Sequence, residues 1–201
     1  MQTLGITGSF GTGKTTVARL FAKFGAQVID ADKLAHKVIK KGSREYKKIV
    51  TGFGGDILKL GGEIDREKLA RKVFGKSSAL RKLVGIVHPA VIMEIKRQLA
   101  RVKSRKQVVI IDAPLLIESG LSRNLDKLIV VVASRENQIN RLKKKTELNT
   151  SQILQRIKAQ LPLKNKVIIA DFIIDNNGSL TYTKKQVKEI WQKLFNNKKG
   201  Q

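Results

Sequence analysis

A glycine-rich segment near the N-terminus limits the folds open to this chain more than any other feature. The segment Gly8–Thr15 reads Gly-Ser-Phe-Gly-Thr-Gly-Lys-Thr and matches the pattern G-x-x-x-x-G-K-[ST]. It follows the apolar run Gln2–Thr7, which predicts a short buried strand. After it, apolar residues recur at the spacing of one helix face: Val17, Leu20, Phe21 and Phe24. Strand, glycine turn and amphipathic helix together predict the start of a parallel α/β sheet.

The residue types in this segment suit the binding of a nucleoside triphosphate. Glycines let successive backbone N–H groups turn toward one point, and the helix that follows adds its positive N-terminal end. Lys14 is expected to bridge the β- and γ-phosphates of ATP, and the Thr15 hydroxyl to ligate Mg²⁺. We therefore assign ATP binding to the turn and the start of the helix: Gly11, Thr12, Gly13, Lys14, Thr15 and Thr16.

The rest of the chain continues the strand and helix pattern. Further strands are predicted at Ala26–Asp30, Gln107–Asp112, Lys127–Ala133 and Phe172–Asp175. The stretch 32–106 is mostly helical and glycine-interrupted, and it is too long for a simple crossover, which indicates an inserted helical subdomain. Two basic helical segments, Arg135–Lys145 and Thr150–Leu163, predict a hairpin, and Val187, Ile190, Trp191 and Leu194 form one face of a final helix.

These elements predict a single α/β domain over 1–201 that carries an inserted helical part. The core sheet and its helices comprise about 1–31, 107–140 and 168–201, and the helical insertion comprises about 32–106.

The chain is strongly basic, with 41 Lys and Arg against 16 Asp and Glu, a formal net charge of +25. Such a balance favours polyanionic ligands, either nucleic acid or multiply phosphorylated small molecules. A solvated basic surface without a specific partner explains it equally well, because Lys and Arg are spread over every segment. Net charge alone therefore does not distinguish between these explanations or identify the function.

The sequence indicates a cytoplasmic protein that does not span a membrane. Its longest apolar runs, such as Val108–Ile111 and Leu128–Ala133, are far too short to cross a bilayer. The N-terminus enters a strand at once, so we expect no signal peptide. The absence of cysteine excludes disulfides and thiolate metal sites.

Aspartates follow two of the predicted strands, at the edge of a parallel sheet where ligands bind. Asp30 and Asp32 end the second strand, and a carboxylate there can accept the proton of an attacking hydroxyl. The position also suits Asp32 as the N-cap of the next helix. Asp112 ends the strand before Ala113-Pro114, where it is a candidate Mg²⁺ ligand or simply the start of a turn. The role of the nearby Glu118 is not readable from its spacing.

Short motifs in a fixed order resemble those of the dephospho-CoA kinase family. They are Gly5-Ile6-Thr7-Gly8, Val28-Ile29-Asp30-Ala31-Asp32, Ile64-Asp65-Arg66, His88-Pro89, Asp112-Ala113-Pro114-Leu115-Leu116-Ile117-Glu118 and Ile174-Asp175-Asn176-Asn177-Gly178. The resemblance runs from Thr3 to Asn177. Each motif apart from the glycine-rich segment is weak by itself, whereas their order and spacing are specific.

The resemblance implies a P-loop kinase of the nucleoside-monophosphate-kinase type. We expect an α/β fold in which a parallel β-sheet P-loop NTPase core is flanked by helices and carries an inserted helical substrate domain, about 32–106, and a helical lid, about 141–167. The implied activity is ATP-dependent phosphorylation of the ribose 3′-hydroxyl of dephospho-CoA, giving CoA and ADP, the last step of coenzyme A biosynthesis.

The resemblance also implies roles for individual residues. Asp32 matches the family's catalytic base, and Arg141 matches its lid arginine. Together with Lys14 they are the expected catalytic residues. Arg66 and His88 fall on the substrate side, although Arg66 equally suits a structural pair with Asp65 and His88 a packed turn. Three further residues are expected at the acceptor: Thr7, Pro114 and Leu115.

The turn after the last strand is expected to lie against the adenine of ATP. Asn176 and Gly178 carry this expectation, and the alternative is a tight turn with no ligand.

Two departures from the family pattern stand out. Lys145-Thr146 occupies the place of an Arg-Asp pair, and lysine lacks the bidentate fork of arginine. Arg141 is therefore expected to carry more of the phosphate contacts. Ser9 and Phe10 replace smaller residues in the glycine-rich segment, with no expected loss of function.

We expect a monomer with ATP, Mg²⁺ and dephospho-CoA as its ligands, and only non-specific contact with nucleic acid. One alternative is a P-loop kinase that acts on another small molecule or nucleotide. A more distant alternative is a nucleic-acid-dependent ATPase. Aromatic residues make up only 5% of the chain and show no pattern for base stacking, which argues against this alternative.

Overall fold

A five-stranded sheet organises the larger of two compact units. The computed structural model describes residues 1–73, 76–102 and 107–196, and the larger unit comprises Met1–Ile29 and the described residues from Val102 onward. Its strands are β1 (Gln2–Gly8), β2 (Gln27–Asp30), β3 (Val108–Asp112), β4 (Lys127–Val132) and β5 (Phe172–Asp175). They lie in the order β2-β3-β1-β4-β5, with parallel pairing of β1 to β3 and β4 and of β4 to β5. The predicted parallel α/β core is confirmed.

Helices cover the sheet and form the second unit. In the described ranges the α-helices are α1 (Lys14–Lys23), α2 (Ala31–Val38), α3 (Arg44–Phe53), α4 (Arg66–Val73), α5 (Ser77–Ala100), α6 (Arg135–Lys143), α7 (Thr150–Lys158), α8 (Leu163–Ile168) and α9 (Leu180–Asn196). Strand β3 is buried along its whole length, as is β1 beyond Gln2. Strands buried on both faces need helices on both faces, which explains their nearly continuous apolar sequence.

The first and last helices of the larger unit pack together on the sheet. Phe21 of α1 and Val187 of α9 are fully buried in the main core cluster. Trp191 of α9 stacks on Phe24 with ring centroids 5.9 Å apart. The apolar faces predicted for these two helices are therefore the faces that close the core.

The second unit, Asp30–Arg101, is helical. It contains α2 to α5, a short 3-10 helix at Gly55–Ile57 and an antiparallel bridge between Leu58 and Ile64. His88 and Pro89 lie inside the continuous helix α5, so the interpretation of His88 as a turn residue is wrong. Neighbouring turns and tertiary packing hold the helix together although Pro89 lacks an N–H donor.

The second helix of the basic hairpin is shorter than the sequence predicted. Helices α6 and α7 pack through a small apolar cluster of Leu142, Ile153 and Ile157. The helix predicted over Thr150–Leu163 stops at Lys158, and a separate helix, α8, begins at Leu163. Pro162 explains the break, because the residue before a proline is pushed out of the helical region.

The predicted border between insertion and core, near residue 106, lies outside the described residues, as do residues 197–201 of the predicted core. In the part of the chain that is described, no helix combines the length and apolar character needed to cross a bilayer.

Candidate active site

The segment Gly8–Thr15 forms a closed turn between β1 and α1. Gly13 is the N-cap of α1 with φ 92°, a left-handed conformation that favours glycine. A side chain at Gly13 would also overlap the amide nitrogen of Asn176. Thr12 is buried, and its hydroxyl donates to the Ser9 carbonyl at 3.0 Å. The contacts around the turn therefore leave no room for a side chain at Gly13.

Lys14 and the two threonines after it begin α1. The Lys14 ammonium donates to the Ser9 carbonyl at 3.1 Å, so it lies along the turn. The first turn of α1 carries no acidic side chain that would compete with an anion. Thr15 is exposed and Thr16 is half-buried, with the Thr16 N–H donating to the Gly13 carbonyl at 3.0 Å. This end of α1 has the features of a phosphate site.

Arg141 reaches the same turn from α6. Its Nη2 donates to the Asn176 carbonyl at 2.6 Å and its Nη1 to the Thr12 carbonyl at 3.4 Å. The predicted phosphate-contacting arginine and Lys14 thus converge on one loop. Lys145, beyond the end of α6, is exposed.

Asn176 links this turn to α9. Its Nδ2 donates to the Thr12 carbonyl at 2.8 Å, and its Oδ1 accepts from the Thr183 hydroxyl at 2.8 Å. Both side chains are buried. Asn176 was predicted from the resemblance as part of an adenine contact, whereas this link through Thr183 was missed because Thr183 has no motif around it. Gly178 lies in the turn before α9.

The loop after β3 is attached to the end of β1. Asp112 is buried and pairs in register with Ile6, and the Ala113 N–H donates to the Ile6 carbonyl at 3.1 Å. The Thr7 hydroxyl donates to the Pro114 carbonyl at 3.2 Å. The structure thus brings together Thr7, Asp112 and Pro114, with Leu115 half-buried next to them.

The donors for Mg²⁺ at this edge of the sheet are oxygen atoms. The Thr15 hydroxyl is exposed at the start of α1, and Asp112 supplies a carboxylate at the end of β3. Mg²⁺ in nucleotide sites is held by one or two protein oxygens together with phosphates and water. The donor set therefore fits a magnesium ion that arrives with ATP.

In the second unit, Asp30 and not Asp32 is the N-cap of α2. The Asp30 carboxylate accepts from the Lys33 N–H at 2.9 Å. Asp32 lies in the first turn of α2 and is exposed. The interpretation of Asp32 as the helix cap is therefore wrong.

A basic cavity of about 640 Å³ lies beside α2 in the second unit. Its lining consists mainly of cationic side chains with one carboxylate: Lys33, His36, Lys37, Ile39, Lys40, Lys41, Glu63, Ile64 and Arg66. The Asp65 carboxylate caps α4 by accepting from the N–H groups of Glu67 and Lys68, which, together with nearby lysines, lowers its pKa. Arg66 lies in the lining of the cavity, whereas His88 lies in α5 and is not among these residues.

His36 reports on the electrostatics of this cavity. Burial, followed by the positive charge of Arg66, lowers the pKa of His36, while Asp32 and Asp30 act in the opposite direction. His36 is therefore less readily protonated than a histidine in water. The charge of this region comes mainly from its lysines and from Arg66.

Comparisons with known proteins agree with the motifs and the geometry. The family model described as dephospho-CoA kinase matches residues 2–182. A dephospho-CoA kinase of Aquifex aeolicus is 43% identical over 194 residues, 96% of this chain and 98% of that protein. Among solved structures, TT1252 from Thermus thermophilus has a TM-score of 0.79 and 32% identity, over 96% of this chain and 97% of that one.

A dephospho-CoA kinase from Campylobacter jejuni is a second similar structure. It has a TM-score of 0.71 and 28% identity, over 98% of this chain and 100% of that one. Sequence, motif order and fold lead to the same assignment: this chain belongs to the dephospho-CoA kinase family.

Proposed function

We propose that this chain transfers the γ-phosphoryl group of ATP to the ribose 3′-hydroxyl of dephospho-CoA, giving CoA and ADP in the last step of coenzyme A biosynthesis. The observation that carries the proposal is the convergence of Lys14 and Arg141 on the Gly8–Thr15 loop in a member of this family. The cytoplasm is the proposed location and Mg·ATP the proposed phosphoryl donor.

The Gly8–Thr15 loop holds the triphosphate. Its backbone N–H groups and the Lys14 ammonium bind the β- and γ-phosphates, with Gly11, Thr12, Gly13, Thr15 and Thr16 forming the surrounding surface. Arg141 is already oriented along this loop by two carbonyls and exchanges them for phosphate oxygens when ATP binds. Mg²⁺ bound with ATP offsets the charge of the phosphates, and Thr15 and Asp112 are its proposed protein ligands.

The turn at Asn176 and Gly178 is the proposed contact site for the adenine of ATP. The Asn176 side chain holds Thr12 through its amide, so its main contribution is to fix the loop, and adenine contact falls to the backbone of the turn.

Asp32 is the proposed general base. Its exposed carboxylate lies in the first turn of α2, and the helix cap is Asp30. The negative charge of Asp32 raises the pKa of His36, which the positive charge of Arg66 lowers. It orients the acceptor hydroxyl and takes its proton as the bond to phosphorus forms. Such assistance contributes about 10²–10⁴ in rate, and the larger share comes from positioning and electrostatics.

The basic cavity beside α2 is the proposed site for the acceptor's charged groups. Dephospho-CoA carries a diphosphate, and Arg66 with the lysines of the lining supplies complementary charge. Arg66 provides the planar bidentate donor, while lysines act as point charges. Thr7, His88, Pro114 and Leu115 are the further proposed acceptor contacts.

Release of ADP with Mg·ATP and a panel of acceptors tests this function. The panel contains dephospho-CoA, AMP, adenosine and pantetheine phosphate, and mass spectrometry identifies the product. We expect phosphorylation of dephospho-CoA alone, and loss of transfer in the control Lys14→Ala. Turnover on a different acceptor would retain the phosphate site and refute the acceptor assignment.

A further inference from the structure

One lysine of the larger unit is completely buried. Lys166 of α8 has no exposed surface, although ammonium groups are among the most costly to remove from water. Its Nζ lies 2.8 Å from the Pro114 carbonyl and 2.8 Å from Oε1 of Glu118. Both partners belong to the segment that follows β3, so the Lys166 side chain attaches α8 to this segment.

Glu118 extends this attachment to the residues before α8. Its Oε1 also accepts from the Leu161 N–H at 2.9 Å, and its side chain is 23% exposed. A carboxylate that neutralises the ammonium and caps the chain between α7 and α8 accounts for the burial of Lys166.

The Pro114 carbonyl is the point where three segments meet. It accepts from Lys166 of α8 and from the Thr7 hydroxyl at the end of β1. The preceding Ala113 donates its N–H to the Ile6 carbonyl. The loop of Asp112–Leu115 is therefore held between α8 on one side and the strand that enters the phosphate loop on the other.

We propose that Lys166 is a positioning residue for phosphoryl transfer, an inference that rests on the proposed function. By holding the Pro114 carbonyl, it fixes the Asp112 carboxylate and the Thr7 hydroxyl relative to the Gly8–Thr15 loop. Stability alone does not require a lysine, because apolar residues of similar volume often replace a buried ion pair without loss. The property that an apolar residue lacks is a donor for the Pro114 carbonyl.

Two variants separate positioning from stability. Lys166→Met removes the donor and leaves Glu118 without its cation, so it loses both thermal stability and turnover. Lys166→Met combined with Glu118→Gln removes both charges and keeps an acceptor for the Leu161 N–H, so it regains melting temperature. The proposal expects the double variant to keep a kcat about 10–100-fold below wild type, since misplacement by about 1 Å has effects of this size.

The matched control is Lys164→Met on the same helix, which removes an equal charge from an exposed position. It is expected to keep the kcat and melting temperature of the wild type. ATP affinity is expected to be retained in all variants, because Lys166 contacts no residue of the Gly8–Thr15 loop in its two hydrogen bonds. A double variant that regains melting temperature and kcat together would overturn the proposal.

Hydrogen–deuterium exchange gives a readout that does not depend on the acceptor. The proposal expects faster amide exchange in residues 112–118 of the double variant, and unchanged exchange overturns it. If wild type fails to phosphorylate dephospho-CoA, the proposed function fails while this exchange measurement still decides the role of Lys166.

Glu118→Gln replaces the Met variants if these do not fold. It keeps an acceptor for Leu161 and weakens the hold on the Lys166 ammonium. The proposal then expects a lower kcat at unchanged ATP affinity, and a kcat equal to that of wild type overturns it.

Discussion

Two aspartates at the start of α2 occupy different positions relative to the helix. Asp30 caps the helix through the Lys33 N–H, and Asp32 presents its carboxylate from the first turn. From the sequence, a carboxylate at either position was a candidate base, and Asp32 was the residue considered as the cap of the next helix. The hydrogen bond from the Lys33 N–H to Asp30 identifies Asp30 as the cap.

We expect Asp32→Asn to lower kcat by about 10²–10⁴-fold, since an amide cannot accept the proton of the acceptor hydroxyl. ATP affinity should be unchanged. Asp30→Asn is the matched control, because asparagine caps helices as well as aspartate does and turnover should survive. Steady-state kinetics with dephospho-CoA and a direct ATP-binding titration measure both. Near-normal turnover in Asp32→Asn would remove this residue as the base.

Asn176 is expected to matter more for the phosphate loop than for adenine selection. In a buried site, Asn176→Ala removes the closer donor to the Thr12 carbonyl and the closer acceptor of the Thr183 hydroxyl. Arg141 Nη1 at 3.4 Å and the Ser179 carbonyl at 3.3 Å are the longer contacts that remain. The expected cost is about 1–3 kcal/mol in the free energy of unfolding, together with weaker ATP binding. Chemical denaturation and ATP titration test this. Thr183→Ser keeps the hydroxyl and serves as the control, and equal losses in both variants would contradict the role given to the Asn176 amide.

At the scale of elements, α2 and α5 of the second unit pack together, and a carboxylate of α5 lies close to a lysine of α2. Glu94 of α5 accepts from Arg97 Nε and Nη2, each at 2.8 Å, and lies 3.7 Å from Lys37 of α2. Hydrogen bonds from Arg97 and then Gln98, with the nearby charges, lower the pKa of Glu94 to about 2. A carboxyl whose pKa is lower in the folded state stabilises that state when it is ionised.

The contribution of Glu94 to stability is therefore complete above its ordinary pKa of 4.5 and is lost as the pH falls toward 2. We expect Glu94→Gln to lower the melting temperature by a constant amount at neutral pH and by a shrinking amount as the solution is acidified. Thermal melts of both proteins over this pH range provide the measurement. Glu67→Gln is the control, because the Glu67 side chain is 83% exposed and should contribute little. A difference that grows on acidification would contradict the assignment.

Long periodic elements could be predicted from the sequence, and short or interrupted ones could not. The faces of α1 and α9 follow helical spacing over several turns, so Phe21 and Val187 were predicted in the core. Helix α8 is only six residues long, too short to show a period. His88-Pro89 resembled a turn because proline disfavours helix locally, whereas packing along α5 keeps it helical.

The same distinction holds for the candidate site. Lys14 was identified from the glycine-rich motif and Arg141 from the family resemblance, and both reach the loop. Lys166 was not identified, because nothing near it in the sequence distinguishes one buried lysine among 41 basic residues. Its partners lie 48 and 52 positions away in the chain, at Glu118 and Pro114, so only the fold reveals them.

At the scale of the whole molecule, the charge of +25 exceeds what a phosphate site and an acceptor cavity require. Cationic side chains line the cavity beside α2, and others, such as Lys145 and Lys164, are exposed elsewhere. A charge this large attracts any polyanion at low ionic strength. Binding of nucleic acid is therefore expected as a property of the surface, without a link to turnover.

We expect single-stranded RNA to bind weakly and to lose affinity steeply as salt is raised from about 50 to about 200 mM, because binding releases condensed counterions. Fluorescence anisotropy of a labelled oligonucleotide measures this slope. RNA should leave the rate of ADP release unchanged, both with and without dephospho-CoA, because Lys14 and Arg141, the residues proposed to bind the phosphates, already lie on the Gly8–Thr15 loop. Stimulation of ATP hydrolysis by RNA at physiological salt would instead favour a nucleic-acid-dependent ATPase, and the basic surface would then have to be counted as part of the site.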